Sequence, residues 1–295
     1  MTLKKKETLI CYAFLSPAII CYIALIAYPI FMSGYLSFTK WNFLSGASNI
    51  KWIGMANYAR LFSRDRSFAV ALKNTVLYTV TTVPFTIFLS LALATALNGK
   101  MHLAKFFRVC FFIPYICSMV ALGAVFKFLF RTDGPVNNIL TRFFGVSQPP
   151  MWFTDMSLSR VPIICVVIYA GVGFCMIVYM AALGGISRSL YEAAEIDGAT
   201  PMQRFFKITL PMISPTTFYL IIVRTISAFQ IFASVNIMTG GGKSRGSVSL
   251  VVLIYEDAFK SYDFGYASAE AWVLVVIILV VTAVQFMGQK KWVHY

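Results

Sequence analysis

Six long apolar runs, near 9–38, 70–97, 106–130, 161–183, 212–238 and 265–288, constrain this chain more than any other feature. Each is interrupted by little besides Gly and Pro, and each reaches the roughly 20 residues that a helix needs to cross about 30 Å of hydrocarbon. A backbone in lipid must satisfy its own hydrogen bonds, so runs of this length read as helices, in which Gly and Pro are tolerated. Composition agrees. Of 295 residues, 59% are hydrophobic and 12% charged, against about 45–50% and about 25% in an ordinary globular domain. A soluble core holding 27 Phe would have too little polar surface to cover it. Soluble enzymes, disordered chains and fibrous chains are excluded. The expectation is an all-α membrane protein, residues 1–295 forming one domain of six transmembrane helices.

The first run follows Lys4, Lys5 and Lys6, contains Pro17 and Pro29, and lacks a small-residue cleavage site, so it reads as an uncleaved span. An even number of spans puts both ends on one side. Lys and Arg are denser in 1–9, 98–108, 184–211 and 289–295 than in the opposite set of connections, which places both ends in the cytoplasm. The net charge of +14 is spread along the chain and fits membrane orientation, not nucleic acid. All six cysteines lie in apolar runs without a CxxC and read as packing thiols. The two histidines, His102 and His294, fall in a short inner loop and the tail, so no catalytic set and no metal site is expected in the membrane. The outer segment from Asn57 to Asn74 alternates aromatic and basic residues and reads as a helix lying at the membrane surface. Gly242, Lys243 and Ser244 imitate the end of a phosphate-binding loop, but Ile237 stands where that motif needs glycine.

The inner loop, 184–211, carries more start-and-stop information than a connection needs. Ser189 and Glu192 are spaced as a capping box for a helix from Leu190 to Asp197, and Gly198 suits its left-handed stop. Thr200 and Gln203 form a second box, with Pro201 at the first helical position. Two short helices joined by a tight turn are expected. Glu192, Glu195 and Asp197 make the first one acidic, which disfavours an anionic lipid surface and favours a protein partner.

Glu192-Ala193-Ala194, Gly198 and then Ile208, Leu210 and Pro211 resemble the EAA loop of ABC-importer permeases at every position of its pattern. The resemblance continues through Leu15-Ser16-Pro17, Tyr28-Pro29, Asn57-Tyr58, Ala71 to Thr75, Phe112-Ile113-Pro114, Thr239 to Gly242 and Gly265 to Ala269. Together these segments resemble binding-protein-dependent sugar permeases of the maltose F-like type. The resemblance implies six transmembrane helices with a cytoplasmic EAA coupling-helix loop, docked through Glu192, Ala193, Ala194, Gly198, Ile208, Leu210 and Pro211 into a cytoplasmic ATPase. It also implies a second, maltose G-like permease, two ABC ATPase subunits that hold ATP and Mg, an extracellular solute-binding protein and an oligosaccharide cargo. This chain would bind no cofactor itself. Glu192 would either cap its helix or contact the ATPase.

Ser227, Gln230, Ile231 and Ser234 are spaced along one helical face, and Tyr169, Gly171 and Phe174 lie near the middle of the fourth span. The resemblance makes these parts line the solute cavity; plain helix packing is the alternative for each. Arg224 and Glu270 are ionisable residues inside spans, and an unpaired cation there costs at least about 2.5–3.5 kcal/mol. They pair with each other or with a neighbouring permease, or else Arg224 faces the cavity and favours an acidic sugar. The alternatives to a sugar importer are an ABC permease for a solute such as glycerol phosphate, a secondary carrier, in which internal repeats would be expected, and a membrane-embedded enzyme.

Overall fold

The computed structural model describes residues 3–98, 103–241, 246–290 and 292–293. It begins with α1 (Leu3–Tyr22), a π turn (Ile23–Ala27), α2 (Tyr28–Leu36), the strands β1 (Thr39–Lys40) and β2 (Lys51–Trp52), and α3 (Ala56–Ser63). Next come α4 (Arg66–Asn98), α5 (Ala104–Ile116), α6 (Met119–Leu129), α7 (Pro135–Phe144) and α8 (Arg160–Gly184). Then follow α9 (Arg188–Ile196), α10 (Pro201–Arg204), a second π turn (Phe205–Thr209), α11 (Leu210–Met212), α12 (Ser214–Phe229), α13 (Ala233–Thr239), α14 (Leu250–Phe259) and α15 (Phe264–Gln289). Among the described residues the secondary structure is helical apart from the two-residue strands β1 and β2, in keeping with the all-α expectation. Four stretches are long and apolar enough to span a membrane, and two sharply bent pairs bring the count to the expected six when each pair is one span.

Those bends correct two of the expected continuous helices. The third span, 106–130, turns by 101° between α5 and α6. Pro114 removes a backbone donor in the last turns of α5, Cys117 is extended, and Ser118 caps α6 by accepting from the Val120 amide at 3.3 Å. The fifth, 212–238, turns by 63° at Ile213 and breaks again after Phe229, resuming at Ala233. Ser227, Gln230, Ile231 and Ser234 therefore do not share one helical face. The outer segment 57–74 is not one surface helix either: α3 ends at Ser63 and Arg66 already starts α4. Gly242, Lys243, Ser244, His102 and His294 lie outside the described residues. The cysteines are all free thiols.

The chain forms two compact units, 1–65 with 254–273 and 66–253 with 274–295. In the first, Asn57 is buried and donates to the Ser37 and Thr39 carbonyls at 2.9 and 2.8 Å, which fixes the entry to the hairpin. Tyr58 donates to Ser37 Oγ at 2.8 Å. A Cβ at Gly265 would collide with the Thr39 carbonyl, so only glycine lets α15 start against that strand. The apolar stretch of the first span, in contrast, buries none of its residues.

The second unit is organised around α4 and α8. The buried face of α4 carries Thr75, Thr79, Thr82, Thr86 and Ser90, small residues that let helices approach closely. Four of these hydroxyls bond carbonyls of their own helix, and Ser90 also reaches the Val172 carbonyl of α8 at 3.1 Å. Asn74 donates to the Val248 carbonyl, Thr75 accepts from the Leu250 amide and Tyr78 donates to the Ser247 carbonyl, so α4 also anchors 247–250. On α8, a Cβ at Gly173 would collide with the Phe111 carbonyl of α5. Near one end, Leu97, Met176, Tyr179, Leu183, Ile213 and Leu220 form an apolar core.

Gly173→Ala places a methyl against rigid backbone and is expected to cost about 1–3 kcal/mol. It should lower the melting temperature of the purified protein in detergent. Gly184→Ala, at the end of the same helix with nothing within 4 Å of the new Cβ, should leave the melting temperature unchanged or raise it, for a gain in stability of up to about 1 kcal/mol. Equal effects at the two positions would remove the close approach of α5 and α8.

Candidate functional site

Two of the helix breaks meet at a cavity of about 340 Å³ in the second unit. The α5–α6 break supplies Pro114, Tyr115, Cys117 and Met119, and the break after α12 supplies Gln230, Ile231 and Phe232. Ser249 Oγ donates to the Ile231 carbonyl at 2.6 Å and so satisfies a group that the break leaves without a helical partner. Of the residues expected to face solute, Gly171, Arg224, Ser227, Gln230, Ile231 and Ser234 all line the cavity although they come from three helices and a break. Tyr169 and Phe174 do not line it. Tyr169 packs on Phe126 with ring centroids 5.5 Å apart, and Phe174 stacks on Tyr115 at 5.2 Å, behind a lining residue. Sequence reasoning missed Tyr115, Met119 and Phe232; Pro114 was the available signal, since it marks where the third span opens.

Arg224 and Glu270, weighed as a pair in the sequence, each have a setting in their own unit. The Arg224 guanidinium lies over Gly171, where a Cβ would collide with it, and near Tyr115 and Cys175. It makes no hydrogen bond or ion pair among the described residues, and its Nε is shielded from solvent without a partner. Glu270 is fully buried among Asp257, Asp65, Tyr266 and Arg60. Tyr266 donates to Asp65 at 2.5 Å, and Arg60 stands 4.0 Å over the Tyr266 ring while reaching Asp263 at 3.4 Å.

The inner loop has the expected two helices, with one cap relocated. Ser187, not Ser189, caps α9 by accepting from the Ser189 amide, so Glu192 is not the third residue of that helix and makes no cap. Local spacing allowed both caps; the observed one starts the helix two residues earlier. Glu192 and Ala193 are exposed, Ala194 is half-buried, and Glu192 has no partner among the described residues. Gly198, at φ +72°, closes α9 with the Ala199 amide on the Ala194 carbonyl and the Gly198 amide on the Glu195 carbonyl. The Thr200–Gln203 box forms both of its bonds, with Pro201 first in α10. Arg204 reaches Glu195 at 3.2 Å and Tyr191 bonds Thr209 at 2.8 Å, tying α9 to the segment that re-enters the core. Ile208, Leu210 and Pro211 are half-buried in that elbow, whereas Ile196 and Met202 stand exposed beside Glu192's helix.

Residues 86–292 match the family described as binding-protein-dependent transport system inner membrane component. The probable ABC transporter permease protein YesP of Bacillus subtilis (strain 168) is 34% identical over 294 residues, 99% of this chain and 94% of that protein. The lactose transport system permease protein LacF of Rhizobium radiobacter is 35% identical over 284 residues, 95% of this chain and 94% of that one. A solved bacterial alginate ABC transporter, in complex with alginate pentasaccharide-bound periplasmic protein, superposes with a TM-score of 0.82 at 25% identity, over 97% of this chain and 96% of that chain.

The carboxylates of the first unit set a pH dependence. Burial and the neighbouring Asp65 carboxylate push Asp257 up to about 6, against the pull of Arg60. Asp263, Glu256 and Glu270 also face this cluster. A carboxyl that holds its proton more tightly folded than unfolded lends stability at acid pH and loses it as pH rises from about 4 through 6. Asp257→Asn should therefore raise the melting temperature at pH 7, have less effect at pH 4.5, and flatten the profile between them. A variant with an unchanged slope would mean that Asp257 is not the titrating group.

Proposed function

This chain belongs to the family of binding-protein-dependent transport system inner membrane components, and on that footing we propose that it forms half of the pore of an ATP-driven importer whose cargo is an oligosaccharide. It is a multi-pass membrane transport subunit and not a catalyst. The resemblance to sugar permeases read from the motifs agrees with the whole-length similarity to a lactose permease. A second permease of the same fold completes the pore. Two ATPase subunits hold ATP and Mg and do the hydrolysis, and an extracellular binding protein delivers the sugar; the solved relative carries such a protein in its complex. The basic segments 1–9, 184–211 and 289–295 face the cytoplasm, with both termini inside.

The observation that carries this reading is Glu192. It sits on a helix whose two ends are closed by Ser187 and Gly198, so the fold does not need it as a cap, and it projects with Ala193 into open space. An acidic side chain beside a small one on a rigid exposed helix suits a cleft in a protein partner, where close approach needs alanine and orientation needs a charged contact. Through Tyr191–Thr209 and Arg204–Glu195, displacement of α9 is transmitted to the elbow at 205–213 and so to α12. ATP-driven closure of the ATPase pair then becomes a tilt of the helix that lines the cavity.

Proteoliposomes holding the assembled importer test it. Uptake should require ATP on the loop side and binding protein on the other. Glu192→Ala should leave the melting temperature unchanged and lower coupled uptake about tenfold or more, as expected for losing a charge-assisted contact worth roughly 1.5–3 kcal/mol. Uptake that proceeds without the ATPase subunits would make the chain a secondary carrier. A variant that melts earlier but stays coupled would leave Glu192 with a structural role only.

A further inference from the structure

Resting on that reading, we infer that the cavity takes a saccharide bearing a carboxylate, and that Arg224 is the residue that selects it. Among the described residues, Arg224 is the one charged residue lining this cavity, and none of them gives it a carboxylate, carbonyl or hydroxyl partner. A cation kept unpaired within a span is costly and rare unless it faces a water-filled path or meets a counter-charge there. The neighbours that approach its guanidinium, Tyr115 and Cys175, are uncharged groups. On this inference the counter-ion is the solute and not a residue of the second permease.

Room for that ion is built into the fold. Gly171 has no side chain where a Cβ would collide with Arg224 Nη2, so the guanidinium packs directly on α8 at the wall of the cavity. A planar fork of donors matches a carboxylate in two parallel bonds, which an ammonium does not reproduce. One guanidinium balances the single charge of a uronate. A phosphate would bring about −1.5 to −2 near neutral pH, and the described lining residues include no second cation. The remaining polar groups, Ser227, Gln230 and Ser234, are the hydroxyls and amide that sugar hydroxyls need, and Tyr115, held by its stack on Phe174, offers a ring face.

The test uses the assembled importer in proteoliposomes with its binding protein. Its probes are a panel of uronate-containing oligosaccharides, each paired with the same oligosaccharide after reduction of the carboxyl to the alcohol. The expected result is ATP-dependent uptake of at least one acidic member in preference to its reduced partner. Arg224→Gln should abolish that preference, lowering uptake of the acidic member about tenfold or more relative to its reduced partner. Arg224→Lys should restore only part of it. Gly171→Ala, which displaces the guanidinium without removing its charge, should lower acidic uptake selectively and keeps the test usable if Arg224→Gln does not assemble. Preference for the reduced partners, equal uptake of both, or equal losses on both in the variants overturns the inference while leaving the sugar-importer reading in place. Absence of ATP-dependent uptake for every saccharide overturns both.

Discussion

In hydrocarbon no backbone N–H or C=O can be left to water, and that constraint decides where this chain is allowed to stop being a helix. Two prolines, one inside the first span and one where the inner loop re-enters the membrane, show how it is met. Tyr28-Pro29 and Leu210-Pro211 each follow a five-residue π turn, Ile23–Ala27 and Phe205–Thr209. In each, the residue before proline bonds five residues back, Tyr28 to the Ile23 carbonyl and Leu210 to the Phe205 carbonyl. The wider turn accommodates a ring that would otherwise press on the carbonyl four residues earlier. The remaining breaks are met by side chains: Ser118 at the start of α6, and Ser249 on the Ile231 carbonyl. Both of those breaks open onto the cavity. Apart from the bend at Ile213, irregular backbone among the described residues of the spans falls at a π turn or at the lining of a site.

The same constraint explains what the sequence could disclose. Run length depends on side chains alone, so all six apolar segments and most of their ends are legible. Gly198 and the Thr200–Gln203 box are legible because a left-handed turn and a reciprocal cap require particular residues at fixed spacing. The breaks are not. Nothing in the side-chain character of residues 229–233 changes where α12 stops, and the group that stabilises the break, Ser249, is 18 residues away. Ser189 and Glu192 have a capping spacing as good as any; Ser187 prevails because the chain leaves α8 through Gly185 and starts α9 earlier. Asn57, Asn74 and Gly265 could be noticed as parts of motifs, but their reasons are long-range: two amides donate to carbonyls of distant segments, and one glycine admits a strand.

Gly171 belongs to a further kind of legibility. As a glycine in mid-span it reads equally as a packing contact or as part of a cavity wall, and in this fold it is both. It sits on α8 two residues before Gly173, which meets α5, while its own missing side chain makes the place for Arg224. The two glycines therefore set different distances on nearly opposite faces of one helix. A residue-by-residue reading of the site would have assigned them a single role.

The fifth span joins the two halves of the proposed mechanism. Tyr179 of α8 donates to Thr217 of α12 at 3.2 Å, close to the bend at Ile213, so α12 is held near its origin and extends from there toward the cavity. Arg224 is seven residues beyond Thr217, roughly 10 Å along the helix at 1.5 Å per residue. A tilt of about 10° about that hold moves the guanidinium by roughly 2 Å. Paired hydrogen bonds near 2.8 Å do not survive such a shift when the partner stays with α8. The elbow that α9 pulls on is the origin of this lever, with Tyr191 and Thr209 bonded at its near end. On the proposed reading, movement of α9 with the ATPase pair through its ATP cycle both tilts α12 and shifts the fork relative to the bound carboxylate. One movement then opens the path and loosens the cargo, which an importer needs if its site is to fill from one side and empty to the other.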